Sequence, residues 1–458
     1  MRVLAGGIWP WRGCHGVVRR RVTKLEYRVK SCDLTVVLEK SVAEQPVVAA
    51  EAPSVPQGSL LERVEALRPV IEAGGDEAQK IRRVPDETIS ALVDAGFFRF
   101  AIPEELGGEN ATICETIEVL EAISAIDASV GWNVMLGSEI NAMAAGGMDP
   151  EIAKEVYIDN PRVIMCGGGG PGTQPSKAVA QGDGSYRVWG QSTFISGCHN
   201  AEWCFMAAPV YAKLEDEAPL LDENGVPDFR MWFLNRKEWE IIDTWDVAGL
   251  RGSGSNDVKA EGALVPAKLA NVTLVSLPAH YSNPAYRVPV PLRLAYNKAA
   301  VAIGVARGAL DTFSDLAQNK IPLMMSASLA NRPIAQYRMG ECEAKLRAAR
   351  AFLMESMQAV HDELEAGLPT PSREGTIMGR LACTYAANAS MEVVDVIHNT
   401  AGTSGMRMYS PLERKLRDAH GAATHRWVSH PLYQDIGKTF LGIEPDPEFA
   451  GEGDPRPA

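Results

Sequence analysis

A chain of 458 residues, 46% apolar and 22% charged, has the material for two or three domains or layers around a large core. Its net charge of −13 argues against nucleic-acid binding, and no apolar run reaches the roughly 18 residues of a membrane span. Eight cysteines form no C-x-x-C pair and eight histidines no H-E-x-x-H, so no metal site or disulfide framework is indicated and a reducing cytoplasm fits. Residues 1–58 read as a disordered extension and linker. The first 32 hold eight Lys/Arg against one acid but no secretory apolar core, and 41–58 are rich in Pro, Ala, Val and Glu. From 59 to 150 the spacing is helical. Leu60, Leu61, Val64, Leu67, Val70 and Ile71 recur at helical intervals. Pro85, Asp86 and Glu87 open a second helix that Gly96 closes, and two more are expected over 112–126 and 128–145. From 151 to 275 short β-type runs at 186–189, 203–206 and 231–234 alternate with Gly, Asp and Asn turns, which reads as a small β-domain. The glycines at 167–170 lack the G-x-x-x-x-G-K-[ST] pattern of a phosphate loop. From 276 to 445 long helical patterns return over 299–313, 334–364 and 376–399, as in an up-down bundle. Residues 446–458 are a tail. The fold class expected is α+β: an N-terminal helical domain, a central β-domain and a C-terminal helical bundle.

Pro411 suits the first turn of a late helix that follows the glycine-containing turn at 401–405. At about 100° per residue, Arg414, Asp418 and His425 fall on one stripe and His420 falls off it. Alone, that stripe reads as a structural Arg–Asp pair with a solvated or capping histidine.

Four motifs change this reading. The first is Ala101-Ile102-Pro103-Glu104-Glu105-Leu106-Gly107-Gly108, and the second is Ala128-Ser129-Val130-Gly131-Trp132. The third runs from Asp243-Thr244-Trp245-Asp246 to Arg251-Gly252-Ser253-Gly254-Ser255, followed by Val265-Pro266. The fourth is Pro411-Leu412-Glu413-Arg414 with Arg417-Asp418. In this order they resemble the acyl-CoA dehydrogenase fold, over roughly 60–445. A dehydrogenase needs a carboxylate to remove the α-proton of a thioester. The resemblance places that base either just after the Arg-Asp pair or at the start of the first long C-terminal helix. Here those places read Ala422-Ala423-Thr424-His425-Arg426 and Leu292-Arg293-Leu294-Ala295-Tyr296, without an acid. The run from Trp189 through Phe194, Ser196 and Gly197 to Ala201-Glu202-Trp203 is instead similar to the family's two-component flavin-dependent monooxygenases. So is the step from Asp418 to His425.

That resemblance implies a small aromatic or heterocyclic substrate, O2, and reduced flavin (FMN or FAD) delivered by a separate flavin reductase. The chain has no G-x-G-x-x-G in a strand–turn–helix context for a nicotinamide cofactor, which agrees. Oxygen transfer through a flavin C4a-hydroperoxide is then expected. Ser196 would face flavin N5, and His425 would stabilise the peroxy group or take a phenolic proton, with His420 as a second candidate. Flavin contacts are expected from Ser196, Trp132, Asn141, Trp245 and Ser253. Lys320 and the turn Gly402, Thr403, Ser404 would reach a neighbouring subunit's flavin in a dimer or tetramer. Two other readings stay open: a dehydrogenase or oxidase acting on CH–CH bonds with a base not located, and a catalytically silent flavin- or acyl-binding relative.

Overall fold

Apart from the second, the α-helices of the amino-terminal part begin where a side chain supplies the missing partner of a backbone N–H. The computed structural model describes residues 57–168, 170–222, 225–270 and 280–446, so most of the expected extension and tail lie outside the described residues. Helix α1 (Leu60–Ile81) opens on a capping box: Glu62 N donates to Ser59 Oγ at 3.3 Å and Ser59 N to Glu62 Oε2 at 2.8 Å. After α2 (Asp86–Asp94), α3 (Ile113–Ile126) repeats the device with Thr112 and Glu115. Helix α4 (Ala128–Gly147) starts on the Asp127 carboxylate, which accepts from Ser129 N and Val130 N. Glu139 is the only charged residue of α4 and nearly every position is buried, so this helix is apolar around its circumference and runs through the interior. Helix α5 (Pro150–Tyr157) leads into the sheet.

The strands are β1 (Met165–Gly168), β2 (Gly170–Pro171), β3 (Lys177–Ala180), β4 (Tyr186–Ile195), β5 (Trp203–Tyr211), β6 (Phe229–Asn235), β7 (Glu240–Ile242) and β8 (Asn256–Val265). Their order is β1-β5-β3-β4-β8-β7, with β2 paired to β4 and β6 to β5. The glycines at 167 and 168 belong to β1, which is not followed by a helix as a phosphate loop would be. Strand β4 pairs antiparallel with β8 until a register break between Ser192 and Ile195 bends its end.

Helices α6 (Val290–Asn319), α7 (Pro333–Glu365), α8 (Arg373–Ala401), α9 (Pro411–Ala423) and α10 (Leu432–Phe440) follow. Helix α6 packs on α8, α9 and α3. Gly304 and Gly308 permit the α3 contact, because a Cβ on them would stand 2.3 Å from Glu121 O and 2.1 Å from Ala125 O. The amino-terminal helices and the long helices after the sheet therefore share one core. Helix α6 begins at Val290, earlier than apolar spacing indicates, because the buried polar residues Arg293, Asn297 and Lys298 interrupt the pattern. Among the described residues no helix is long and apolar enough to cross a membrane.

The expected stripe on the late helix needs correction. Helix α9 ends at Ala423, and His425 lies in the turn beyond it, with its N–H reaching back to Ala422 O at 3.3 Å. Arg414 and Asp418 also have separate partners. Arg414 bonds Asp76 at 2.8 Å, whereas Asp418 accepts from Leu250 N at 2.6 Å.

Candidate active site

The bent end of β4 sets the geometry. Phe194 has φ 60 and Gly197 φ 70, so the chain turns sharply on both sides of Ser196. The turn buries Ser196, which is 5% exposed, and leaves Phe194 69% exposed. Ser196 Oγ accepts from the Trp132 indole Nε1–H at 3.1 Å and shares a hydrogen with Ser255 Oγ at 2.6 Å. Ser255 shares another with Ser253 at 2.6 Å. The Trp132 ring in turn meets His425 edge-on, with centroids 5.6 Å apart and planes at 62°. Two residues distant in sequence, Ser196 and His425, are thus joined through one tryptophan. A narrow cleft opens beside this group, walled by Phe98, Asn133, Gly137, Met165, Ser196 and Asn200.

Four separate elements hold these side chains: the end of β4, α4, the loop at 243–255 and the turn after α9. Trp132 comes from the second turn of α4. Ser253 and Ser255 come from the loop at 243–255, which is pinned twice. Asp418 accepts from Leu250 N, whose residue has φ 52, and Ser129 Oγ accepts from Gly252 N at 3.1 Å. A Cβ at Gly252 would stand 2.6 Å from Ala78 Cβ, so glycine is required where this loop meets α1.

Burial, with the positive charges of Lys298 and Arg426, pushes the His425 imidazole down to about 3. The ring is therefore neutral at physiological pH. Trp427 N donates to His425 Nδ1 at 3.4 Å, which places the ring hydrogen on Nε2. His425 is arranged as a hydrogen-bond donor at Nε2 rather than as a base there. Burial pushes the Asp418 carboxyl up to about 7, and the nearby Asp127 adds to the shift.

The other expected site residues divide. Trp245 donates from Nε1 to Leu250 O at 3.3 Å and meets the exposed Phe194 ring edge-on at 5.9 Å. Asn141 is occupied by backbone: Nδ2 donates to Phe98 O and Val163 O, and Oδ1 accepts from Met165 N, so neither amide hydrogen is free for a flavin edge. His420 turns to α8, where its Nε2 bonds Asp395 at 2.9 Å, and it stays half-exposed. It does not join Ser196 and His425. Lys320 and the Gly402–Ser404 turn do come together, with Lys320 Nζ donating to Ala401 O at 2.5 Å. They lie far from His425. Lys298, whose charge acts on His425, precedes Lys320 by 22 residues along α6 and its C-cap, roughly 33 Å at 1.5 Å per residue.

Sequence reading passed over Phe194 as a stacking surface, Ser255 as the link to Ser253, and a buried ion pair. Lys298 Nζ donates to Glu139 Oε1 at 2.6 Å and Asn297 Nδ2 to Glu139 Oε2 at 2.7 Å, both charged side chains being 1% exposed. The available signal was a lone glutamate in the otherwise uncharged α4.

The acyl-CoA dehydrogenase N-terminal domain matches residues 64–150 and the acyl-CoA dehydrogenase C-terminal domain residues 296–430. Indole-3-acetate monooxygenase of Acinetobacter baumannii is 29% identical over 366 residues, 80% of this chain and 90% of that protein. The FADH(2)-dependent resorcinol hydroxylase oxygenase component of a Rhizobium species is 27% identical over 427 residues, 90% of this chain and all of that one (100%). The crystal structure of the HsaA monooxygenase from M. tuberculosis superposes with TM-score 0.73 at 25% identity, covering 87% of this chain and 98% of that one.

Proposed function

The chain belongs to the acyl-CoA dehydrogenase superfamily, in its two-component flavin-dependent monooxygenase branch, and from that membership we propose an oxygenase component that uses reduced flavin and dioxygen to oxygenate a small aromatic or heteroaromatic molecule. The observation that carries this reading is the Ser196–Trp132–His425 assembly. A thioester dehydrogenase needs a free carboxylate beside the reacting carbon. The carboxylate that α4 brings to this face, Glu139, has both oxygens engaged by Lys298 and Asn297. The His425 imidazole, pushed down to about 3, is neutral at physiological pH.

The residues present fit a flavin. Phe194, exposed on a left-handed backbone and braced by Trp245, offers an aromatic face two residues from the buried Ser196 hydroxyl. Bound reduced flavin would supply the activation of dioxygen and the oxygen atom that is transferred. The protein's part is positioning and charge. Because Trp132 donates to Ser196, the Ser196 hydroxyl is free to donate onward to a ring nitrogen while Ser253 and Ser255 donate toward it. His425 donates from Nε2 to a developing negative charge on oxygen. Ser196 is shielded from bulk water, which strengthens its contact.

Lys320 and Gly402–Ser404 serve the flavin phosphates of a neighbouring copy, since they lie too far from the same chain's His425 to reach one flavin ring. Around them Leu323 (92% exposed), Met324 (94%), Met408 (78%) and Tyr409 (80%) form an apolar surface that a second copy would cover. The six cysteines of the described residues are all unpaired, in keeping with a reducing cytoplasm.

The test supplies reduced flavin from a separate reductase, under isotopically labelled dioxygen, to a panel of phenols, indoles and aryl acids. Label in an aromatic product, lost in His425→Ala, supports the reading. Reduction of protein-bound oxidised flavin by an acyl-CoA, with no labelled product, would overturn it.

A further inference from the structure

The turn from Leu250 to Gly254 is left-handed at both ends, with φ 52 at Leu250 and φ 59 at Gly254. Glycine adopts that backbone freely, but a bulky leucine does so only where its surroundings impose it. Two side chains impose it. Asp418, 1% exposed, accepts from Leu250 N at 2.6 Å, and the buried Ser129 accepts from Gly252 N at 3.1 Å. A Cβ at Gly249 would stand 2.0 Å from Arg417 O, so α9 lies directly against the chain entering the turn. The two pins belong to one frame. Lys415 Nζ donates to Ala125 O at 2.9 Å and Arg414 Nη2 lies 3.5 Å from Asp127 Oδ2, which ties α9 to the junction of α3 and α4 where Ser129 stands.

The turn passes its position on to Ser196. Leu250 O accepts from Ser253 N at 2.9 Å, and Ser253 O accepts from Gly197 N at 3.2 Å. Ser253, Ser255 and Ser196 then form a chain of hydroxyls with 2.6 Å at each step. A hydroxyl has two acceptor positions and one hydrogen. With Trp132 donating to one position of Ser196 and Ser255 to the other, the Ser196 hydrogen is left to point outward. Ser255 gives its one hydrogen to Ser196 as long as Ser253 donates to Ser255. Displacing Ser253 removes that direction, and the Ser196 hydrogen turns back to Ser255.

We infer that Asp418 and Ser129 are positioning residues for oxygen transfer: by pinning the turn from Leu250 to Gly254 they set the direction in which the Ser196 hydroxyl donates to the flavin. The inference rests on the monooxygenase reading for the presence of the flavin ring. Both residues act through Ser253, Ser255 and Ser196 rather than on the ring itself. The Arg–Asp pattern of α9 reads as a structural pair, whereas the bond from Leu250 N to Asp418 connects that pair to the reactive serine.

The test mixes the full-length protein and reduced flavin with oxygenated buffer and follows the return of oxidised-flavin absorbance. Hydrogen exchange of the flavin-free protein is the second readout. Asp418→Ala should speed the return about fivefold, the scale of one hydrogen bond. Asp418→Asn, whose amide oxygen still accepts from Leu250 N, should stay within about twofold of the unaltered protein. In a Ser196→Ala background Asp418→Ala should add less than about twofold, because the hydroxyl through which it acts is gone. A purely structural role would multiply with the serine change instead. Ser129→Ala removes the second pin at a smaller loss of packing and should behave as Asp418→Ala does, which keeps the test open if Asp418→Ala does not fold. In both alanine variants the Gly197 amide should exchange faster, with the amides of α7 unchanged. A fivefold effect that persists without the Ser196 hydroxyl would overturn the inference, as would an unaltered return and unaltered exchange in the alanine variants. A protein that does not delay the return at all contradicts the monooxygenase reading instead, and is told apart from failure of the pins by the Gly197 exchange, which needs no flavin.

Discussion

Replacing Trp132 by phenylalanine separates the two contacts that join the candidate catalytic residues. The smaller ring keeps an aromatic edge for His425, now 5.6 Å from the indole centroid, and removes the N–H that reaches Ser196 at 3.1 Å. Ser196 Oγ retains Ser255 at 2.6 Å, so no acceptor is orphaned. The loss is the net value of one neutral buried hydrogen bond, about 1 kcal/mol. The space left by the indole's second ring adds about 1 kcal/mol to the loss of fold stability. If the whole bond holds the Ser196 hydroxyl toward the flavin, 1 kcal/mol corresponds to about fivefold in a rate or partition ratio. The assay measures hydrogen peroxide released per reduced flavin consumed in air, alongside thermal unfolding. Peroxide release should rise about fivefold in Trp132→Phe and no less in Ser196→Ala. A lowered unfolding midpoint with unchanged peroxide would refute the reasoning and leave the indole–serine bond a purely structural one.

Further predictions concern charge and assembly. Because burial raises the Asp418 carboxyl from its ordinary 3.8 to about 7, its contribution to stability is fully present below 3.8 and lost as pH rises through about 7. Asp418→Asn should therefore gain stability relative to the unaltered protein as pH is raised across that window; parallel profiles in urea unfolding would refute this. Because His425 is pushed from 6.5 down to about 3, oxygen transfer should show no titration near 6.5, and a break there would show that the imidazole is exposed and protonated in use. If each site combines two chains, mixed oligomers of Lys320→Ala and His425→Ala should recover activity that neither variant has alone. Failure to recover after refolding the two together would place Lys320 outside the site.

Much of the fold could be read from local patterns, because its helices obey local rules. Ser59 with Glu62, Thr112 with Glu115, and Pro411 mark helix starts that depend on neighbours within a turn. Motif order placed Ser196 and Trp132, but their hydrogen bond spans 64 residues and depends on the bend at Phe194. Helical spacing misplaced His425. A stripe assumes that the helix continues, whereas α9 stops at Ala423 and the ring reaches Trp132 from the following turn. Asn141 misled because an amide in a buried helix serves backbone groups of other segments as readily as a ligand. The cluster around Lys298 was hidden because an isolated polar residue in an apolar helix looks like a pattern error until its partner on another helix is known. The span from Lys298 to Lys320, which separates the two parts of the expected flavin site, required the unbroken length of α6.

The account turns on whether this chain manages the reaction of reduced flavin with oxygen. The direct measurement mixes anaerobic protein and reduced flavin rapidly with oxygenated buffer, then follows the return of oxidised-flavin absorbance together with free peroxide. The account predicts that the protein delays that return and suppresses peroxide relative to flavin alone, and that Ser196→Ala shortens the delay. Oxidised flavin appearing at the rate of free flavin, with stoichiometric peroxide, would contradict it.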